Sequence, residues 1–136
     1  LFGAFAETGY DDFTITQFSY SDGTSPSPST SHINGKNGDF RYLRYDQSGT
    51  GVTVNDAQFD QARNARFTTA LDRFGYSDLK SYRYNAAWDN MLLPKTSHLG
   101  GHHNHLHLQG YNPRVVDVKL PTTFYINQSS KLKGIK

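Results

Sequence analysis

Gly101-His102-His103-Asn104-His105-Leu106-His107-Leu108-Gln109-Gly110 is the stretch on which the reading of this chain turns. Five of the six histidines fall between His98 and His107. From His105 to Gln109 polar and apolar residues alternate, which is the pattern of a strand. Residues two apart on a strand share a face. His105 and His107 are therefore expected side by side, with Leu106 and Leu108 turned into a core. Two imidazoles on one face suit a metal ion and a second function beside it. The plainer reading of such a run is a solvated loop.

Composition narrows the chemistry. The chain of 136 residues is read as one domain, residues 1–136, able to bury a core. Nine Phe and nine Tyr favour strands and aromatic packing over a leucine-rich bundle. With no cysteine, any metal must be held by histidine and carboxylate. No apolar run approaches the roughly 18 residues of a membrane span. No signal peptide is visible, and the start at Leu1 rather than Met suggests a processed product or a domain excised from a larger precursor. The net charge of +2 is too small to argue for nucleic acid.

Outward from the histidine stretch, residues 13–18 alternate and read as a strand, with Asp11 and Asp12 before them as solvated or capping groups. Residues 21–31, dense in Ser, Thr, Pro and Gly, read as a loop. His32-Ile33-Asn34-Gly35-Lys36-Asn37-Gly38-Asp39 follows, and its two glycines permit a sharp turn between His32 and Asp39. Asp39 opens an alternating strand that runs to Tyr45. A helix is expected over residues 56–74, N-capped by Asn55 with Gln58 in the capping box, and stopped by Gly75. Its arginines, Arg63, Arg66 and Arg73, read as a solvated face. Residues 79–84 and 115–118 are further strand candidates. Trp88 reads as a core anchor, and residues 131–136 as a frayed basic end.

A catalytic zinc commonly takes three protein ligands and keeps one position open. His32, Asp39 and one strand histidine would supply three, from two distant segments. A second strand histidine beside the ion could then accept a proton from water or hold a developing oxyanion. The chemistry this points to is metal-assisted hydrolysis, most simply of an amide.

His32-x-x-Gly35-x-x-x-Asp39 with a later His105-x-His107 resembles the lysostaphin-type, D-Ala-D-Ala-carboxypeptidase and hedgehog-fold zinc metallopeptidases. Gly101-His102-x-x-His105-x-His107 is similar to the run of the penicillin-insensitive murein endopeptidases, a branch of that group. The resemblance spans roughly residues 30–110. It implies an α+β fold, a small antiparallel β-sheet with zinc on one face and a long helix on the other. It implies that His32, Asp39 and His107 bind Zn2+, that His105 is the catalytic histidine beside the metal, and that His102 is the second catalytic histidine. His103 has no counterpart, and His98 has no assigned role. Thr30 stands where the family has serine, and Asn37 where it has a small residue.

On this resemblance the expected activity is that of a zinc metallopeptidase acting on peptidoglycan stem peptides or cross-links. A secreted, periplasmic or cell-wall location follows, and an antibacterial toxin domain met by an inhibitor protein is a further expectation. Two other classes compete. His102-His103-Asn104-His105 is superficially like a His-Asn-His nuclease, which needs a helix after the hairpin. A non-catalytic zinc-binding module of hedgehog-like fold would close the metal with a fourth protein ligand.

Overall fold

The computed structural model describes residues 1–83 and 91–113. They form two helices and five strands in the order α1 (Phe2–Thr8), β1 (Ile15–Gln17), β2 (Gly38–Arg41), α2 (Gln61–Arg73), β3 (Tyr76–Ser81), β4 (Thr96–His98) and β5 (His105–Tyr111). The strands make one sheet, ordered β1-β2-β5-β3-β4. The histidine strand β5 is central and antiparallel to both neighbours. The fold is thus α+β as expected, but the sheet is mixed, because β4 runs parallel to β3. Among the described residues, no helix is long and apolar enough to cross a membrane.

Strand alternation sorts the sheet into two faces. Phe40 pairs with Leu106 and Leu79 with Leu108, and all four are buried with Phe67, Ala70 and Leu71 of α2 in one core. Burying Phe67 or Phe40 contributes about 1.5–3 kcal/mol each by transfer from water. The opposite face carries Asp39 across from His107, and Lys80 across from His107 on the other side. A hydrophobic face held by α2 thereby fixes the polar face that carries the histidines.

The long helix starts five residues later than expected. Asp60, not Asn55, is its N-cap, and the Asp60 side chain accepts from the Arg63 N–H at 3.0 Å. Residues 55–60 instead form turns that carry Phe59 into the core, with Arg44 bridged to Phe59. Buried Asn64, Phe67, Thr68 and Leu71 lie at helical spacing on the covered face. The helix does end at Phe74–Gly75, where Gly75 has a φ of 99°.

Arg63 departs from the solvated face assigned to it. It pairs with the Asp12 carboxylate in a half-buried bridge, and its guanidinium lies 4.4 Å from the Tyr10 ring centroid. Asp12 is therefore a structural partner rather than a solvated residue. The N-terminal helix α1 was not expected either. No side chain caps its start, and it is held by packing: a Cβ on Gly3 would stand 2.5 Å from the Phe74 ring.

The strand expected to run to Tyr45 stops at Arg41 because α2 intercepts the backbone. The Asn64 carboxamide accepts from the Leu43 N–H at 3.0 Å and donates to the Leu43 carbonyl at 2.8 Å. It takes the place of a strand neighbour. Strand β1 likewise occupies residues 15–17 rather than 13–18, and β3 begins at Tyr76 rather than at residue 79 and ends at Ser81, residue 84 of the expected span lying outside the described residues. Trp88 and the candidate strand 115–118 lie outside the described residues.

Candidate metal centre

Three elements bring the candidate ligands together. His32 ends the loop that follows β1, and its N–H donates to Ser25 Oγ at 3.2 Å. Asn34 and Gly35 both take positive φ, 54° and 65°, and reverse the chain toward β2. Gly38 is not the second positive-φ residue. It is small because the Phe18 ring lies across it, where a Cβ would stand 2.3 Å away. Asn37, the departure from the family pattern, donates to the Ser31 carbonyl at 2.6 Å and closes the loop. Asp39 then enters the sheet directly opposite His107.

His32, Asp39 and His107 form a group able to hold a metal ion. His32 Nε2 stands 3.1 Å from His107 Nδ1 and 3.3 Å from Asp39 Oδ1, and His107 Nδ1 stands 2.7 Å from Asp39 Oδ1. Ligand atoms of a tetrahedral ion bound at roughly 2.0–2.2 Å lie roughly 3.3–3.6 Å apart, so the three atoms are close to the required spacing. Both histidines are buried and Asp39 is half-buried. The His32 and His107 rings stack at 5.0 Å and 17°. Among the described residues, the buried Nδ1 of His32 has no hydrogen-bond partner. Two imidazoles and a carboxylate, with no thiolate, fit zinc or another divalent ion.

A row of polar side chains that the pattern of histidines did not reveal supports His107. Its Nε2 lies 3.2 Å from Gln109 Oε1, and the Gln109 amide nitrogen donates to the Asp78 carboxylate. Lys80 Nζ also donates to Asp78, and to Ser97 Oγ at 3.0 Å. A carboxylate only accepts, so Gln109 must turn its oxygen to His107. His107 then carries its proton on Nε2 and presents the Nδ1 lone pair to the cluster, the tautomer a cation at Nδ1 requires. Gln109 stood in the quoted stretch as another polar residue of the alternation. Its role depends on Asp78, which is distant in sequence.

His105 sits beside the cluster, with Nε2 3.8 Å from Asp39 Oδ1. Its Nδ1 donates to Asn104 Oδ1 at 2.8 Å, which leaves Nε2 as the acceptor. Burial lowers the His105 pKa against the opposing pull of Asp39, so the ring is held neutral. Burial also lowers the pKa of His32. Burial works to raise that of Asp39, yet the contact with His107 and the neighbouring imidazoles of His105 and His32 outweigh it and hold the carboxyl below its ordinary range. His102 packs 4.5 Å from the His105 ring centroid and 5.7 Å from that of His107, with its Nδ1 bonded to the Gly100 carbonyl at 3.0 Å.

The other candidates separate from this group. His103 and His98 both face the Tyr82 ring, at 6.3 and 4.9 Å between centroids, and neither belongs to the metal group.

No family model, curated protein or solved structure matches the chain. The class of site therefore rests on geometry: a buried His2Asp group that could hold a metal ion, flanked by two further histidines.

Proposed function

We propose that this protein is a zinc-dependent peptidase that hydrolyses amide bonds in peptidoglycan stem peptides or cross-links at the cell wall. The single observation that carries the reading is the convergence of His32 Nε2, Asp39 Oδ1 and His107 Nδ1 beside a neutral, oriented His105. The resemblance of the two histidine motifs to cell-wall metallopeptidases supplies the substrate class.

His32, Asp39 and His107 would hold the ion. A zinc ion bound there would supply a Lewis acid that lowers the pKa of bound water and polarises the scissile carbonyl. His105 Nε2, kept unprotonated by burial and by the Nδ1–H bond to Asn104, accepts the proton of the attacking water. The Gly100 carbonyl takes the Nδ1–H of His102, so His102, packed on His105, would offer a hydrogen bond to the oxygen that gains charge only from Nε2 of its doubly protonated ring. The proton on His105 then passes to the leaving amine.

The test is digestion of purified muropeptides by zinc-loaded protein, with products identified by mass spectrometry. New amine and carboxyl ends are expected for wild type, and none for His107→Ala or after chelation. Intact muropeptides with fully loaded wild type, or equal cleavage by His107→Ala, would rule the reading out.

A further inference from the structure

Two histidines lie beside the three-ligand group without belonging to it, and their hydrogen bonds leave the same atom free on each. His105 gives its Nδ1–H to Asn104 Oδ1 at 2.8 Å, and His102 gives its own to the Gly100 carbonyl at 3.0 Å. A neutral imidazole protonated on Nδ1 is an acceptor at Nε2. Neither Nε2 has a hydrogen bond among the described residues. The two rings pack 4.5 Å apart between centroids, at 41°, and both are half-buried rather than sealed in the core.

Asp39 adds a third acceptor to this pair. His105 Nε2 stands 3.8 Å from Asp39 Oδ1, and a carboxylate oxygen can only accept. The contacts of Asp39 to His32, His105 and His107 all use Oδ1, so Oδ2 is left without a hydrogen bond among the described residues. Acceptors gathered in this way repel one another unless a cation or a donor comes between them. Neutral imidazole Nε2 is the usual histidine ligand atom and suits zinc, copper and nickel. In paired metal sites the two ions lie roughly 3.5–4 Å apart, a distance that one carboxylate or one water spans.

We infer that His102 and His105 hold a second, weaker divalent ion beside the three-ligand group, bridged to it through Asp39 or water, and that this ion switches hydrolysis off. The inference rests on the peptidase reading and adds a regulation to the same site. Three protein ligands, one of them a carboxylate, fill before two imidazoles completed by water. The first ion then supports hydrolysis. The second occupies the His105 lone pair that accepts the proton of the attacking water, and it takes the His102 nitrogen from the oxygen that gains charge. Activity therefore rises with the first equivalent of metal and falls with the second.

Zn2+ is the probe, titrated into the metal-free protein by calorimetry, with equivalents counted by equilibrium dialysis. Wild type is expected to bind two, the second more weakly. His102→Ala and His105→Ala should each lose the second equivalent and keep the first. His103→Ala, which lies outside both groups, should keep two. NMR of the wild-type imidazoles locates the second ion without any substitution: its addition should shift the ring nitrogens of His102 and His105 and leave those of His98 and His103 in place. Muropeptide cleavage by wild type should be greatest at one equivalent and be lost as the second fills. A single equivalent in wild type overturns the inference and leaves the peptidase intact. Retention of the second equivalent by His102→Ala, or NMR shifts at His98 and His103 instead, also overturns it. Cleavage that persists with both sites filled overturns the proposed switch. Two equivalents placed as expected, with no cleavage at any loading, keep the second site and remove the peptidase reading. One equivalent with no cleavage removes both.

Discussion

The Tyr42 hydroxyl donates to the carbonyl of His102 at 2.8 Å and accepts from the Tyr82 N–H at 3.2 Å. A buried phenol at the end of β2 thus fastens the histidine loop to the end of β3. Burial raises the Tyr42 pKa well above the ordinary phenol value, so the donor keeps its proton. Tyr42→Phe leaves a carbonyl and an N–H without this partner, at a cost of about 1–3 kcal/mol. The expected result is a lower urea midpoint and lower kcat with unchanged metal content, because none of His32, Asp39 and His107 is touched. An unchanged midpoint would show that the bond contributes nothing.

Asp39→Ala removes the one carboxylate of the metal group and leaves two imidazoles 3.1 Å apart. Elemental analysis after dialysis should find the ion in wild type and not in the variant. Retention of the full metal content by Asp39→Ala would place the ion elsewhere.

Gln109→Leu deletes the acceptor for His107 Nε2 while keeping a side chain of similar size on the strand. Loss of such an orienting partner lowers metal affinity by roughly 10- to 100-fold. Competition with a chromophoric chelator measures it, and equal affinity in the variant would contradict the tautomer argument.

His105→Ala should keep the metal and lower kcat by about 10²- to 10⁴-fold, the range for a positioned general base. Metal content measured on the same sample distinguishes loss of the base from loss of the ion. Full activity in His105→Ala would assign the proton transfer to another group.

Burial sets the pH response. The His105 pKa lies below the ordinary 6.5 in the folded chain, so its neutral, accepting form persists to lower pH. The acid limb of kcat/KM is therefore expected to have its midpoint below 6.5. In the metal-free protein, His32 and His105 bind fewer protons folded than unfolded within that window, so stability falls as pH drops below 6.5. Asp39 has the opposite charge and the same consequence: its lowered pKa stabilises the fold above 3.8, and that contribution is lost as pH falls through the folded value. Denaturant midpoints measured across this range check both limbs, and a midpoint independent of pH would contradict them.

Local chemistry made several features legible. Leu106 and Leu108 alternate with His105 and His107, so the core face and the polar face of β5 followed from period two alone. Gly75 marked the end of α2 because a positive φ favours a residue without Cβ. The start of α2 was misplaced because Asn55 and Asp60 are both good caps, and the choice between them came from Phe59, which the core takes before the helix begins. The Arg63–Asp12 bridge spans 51 residues and left no local trace. The parallel pairing of β3 with β4 is likewise a matter of topology rather than of residue type.

By itself the sequence determined the kinds of ligand available, the alternation that sets two histidines on one face, and the turn that returns the chain toward Asp39. Only the tertiary structure decided that His107, rather than His105, stands opposite Asp39. A shift of two residues in the β2–β5 register would keep every side chain on its face and set His105 opposite Asp39 instead. Period-two patterning cannot distinguish these registers. The packing of Phe40 on Leu106, beneath Phe67 of α2, accompanies the one observed, and with it the division between the histidine that joins the metal group and the histidine left beside it.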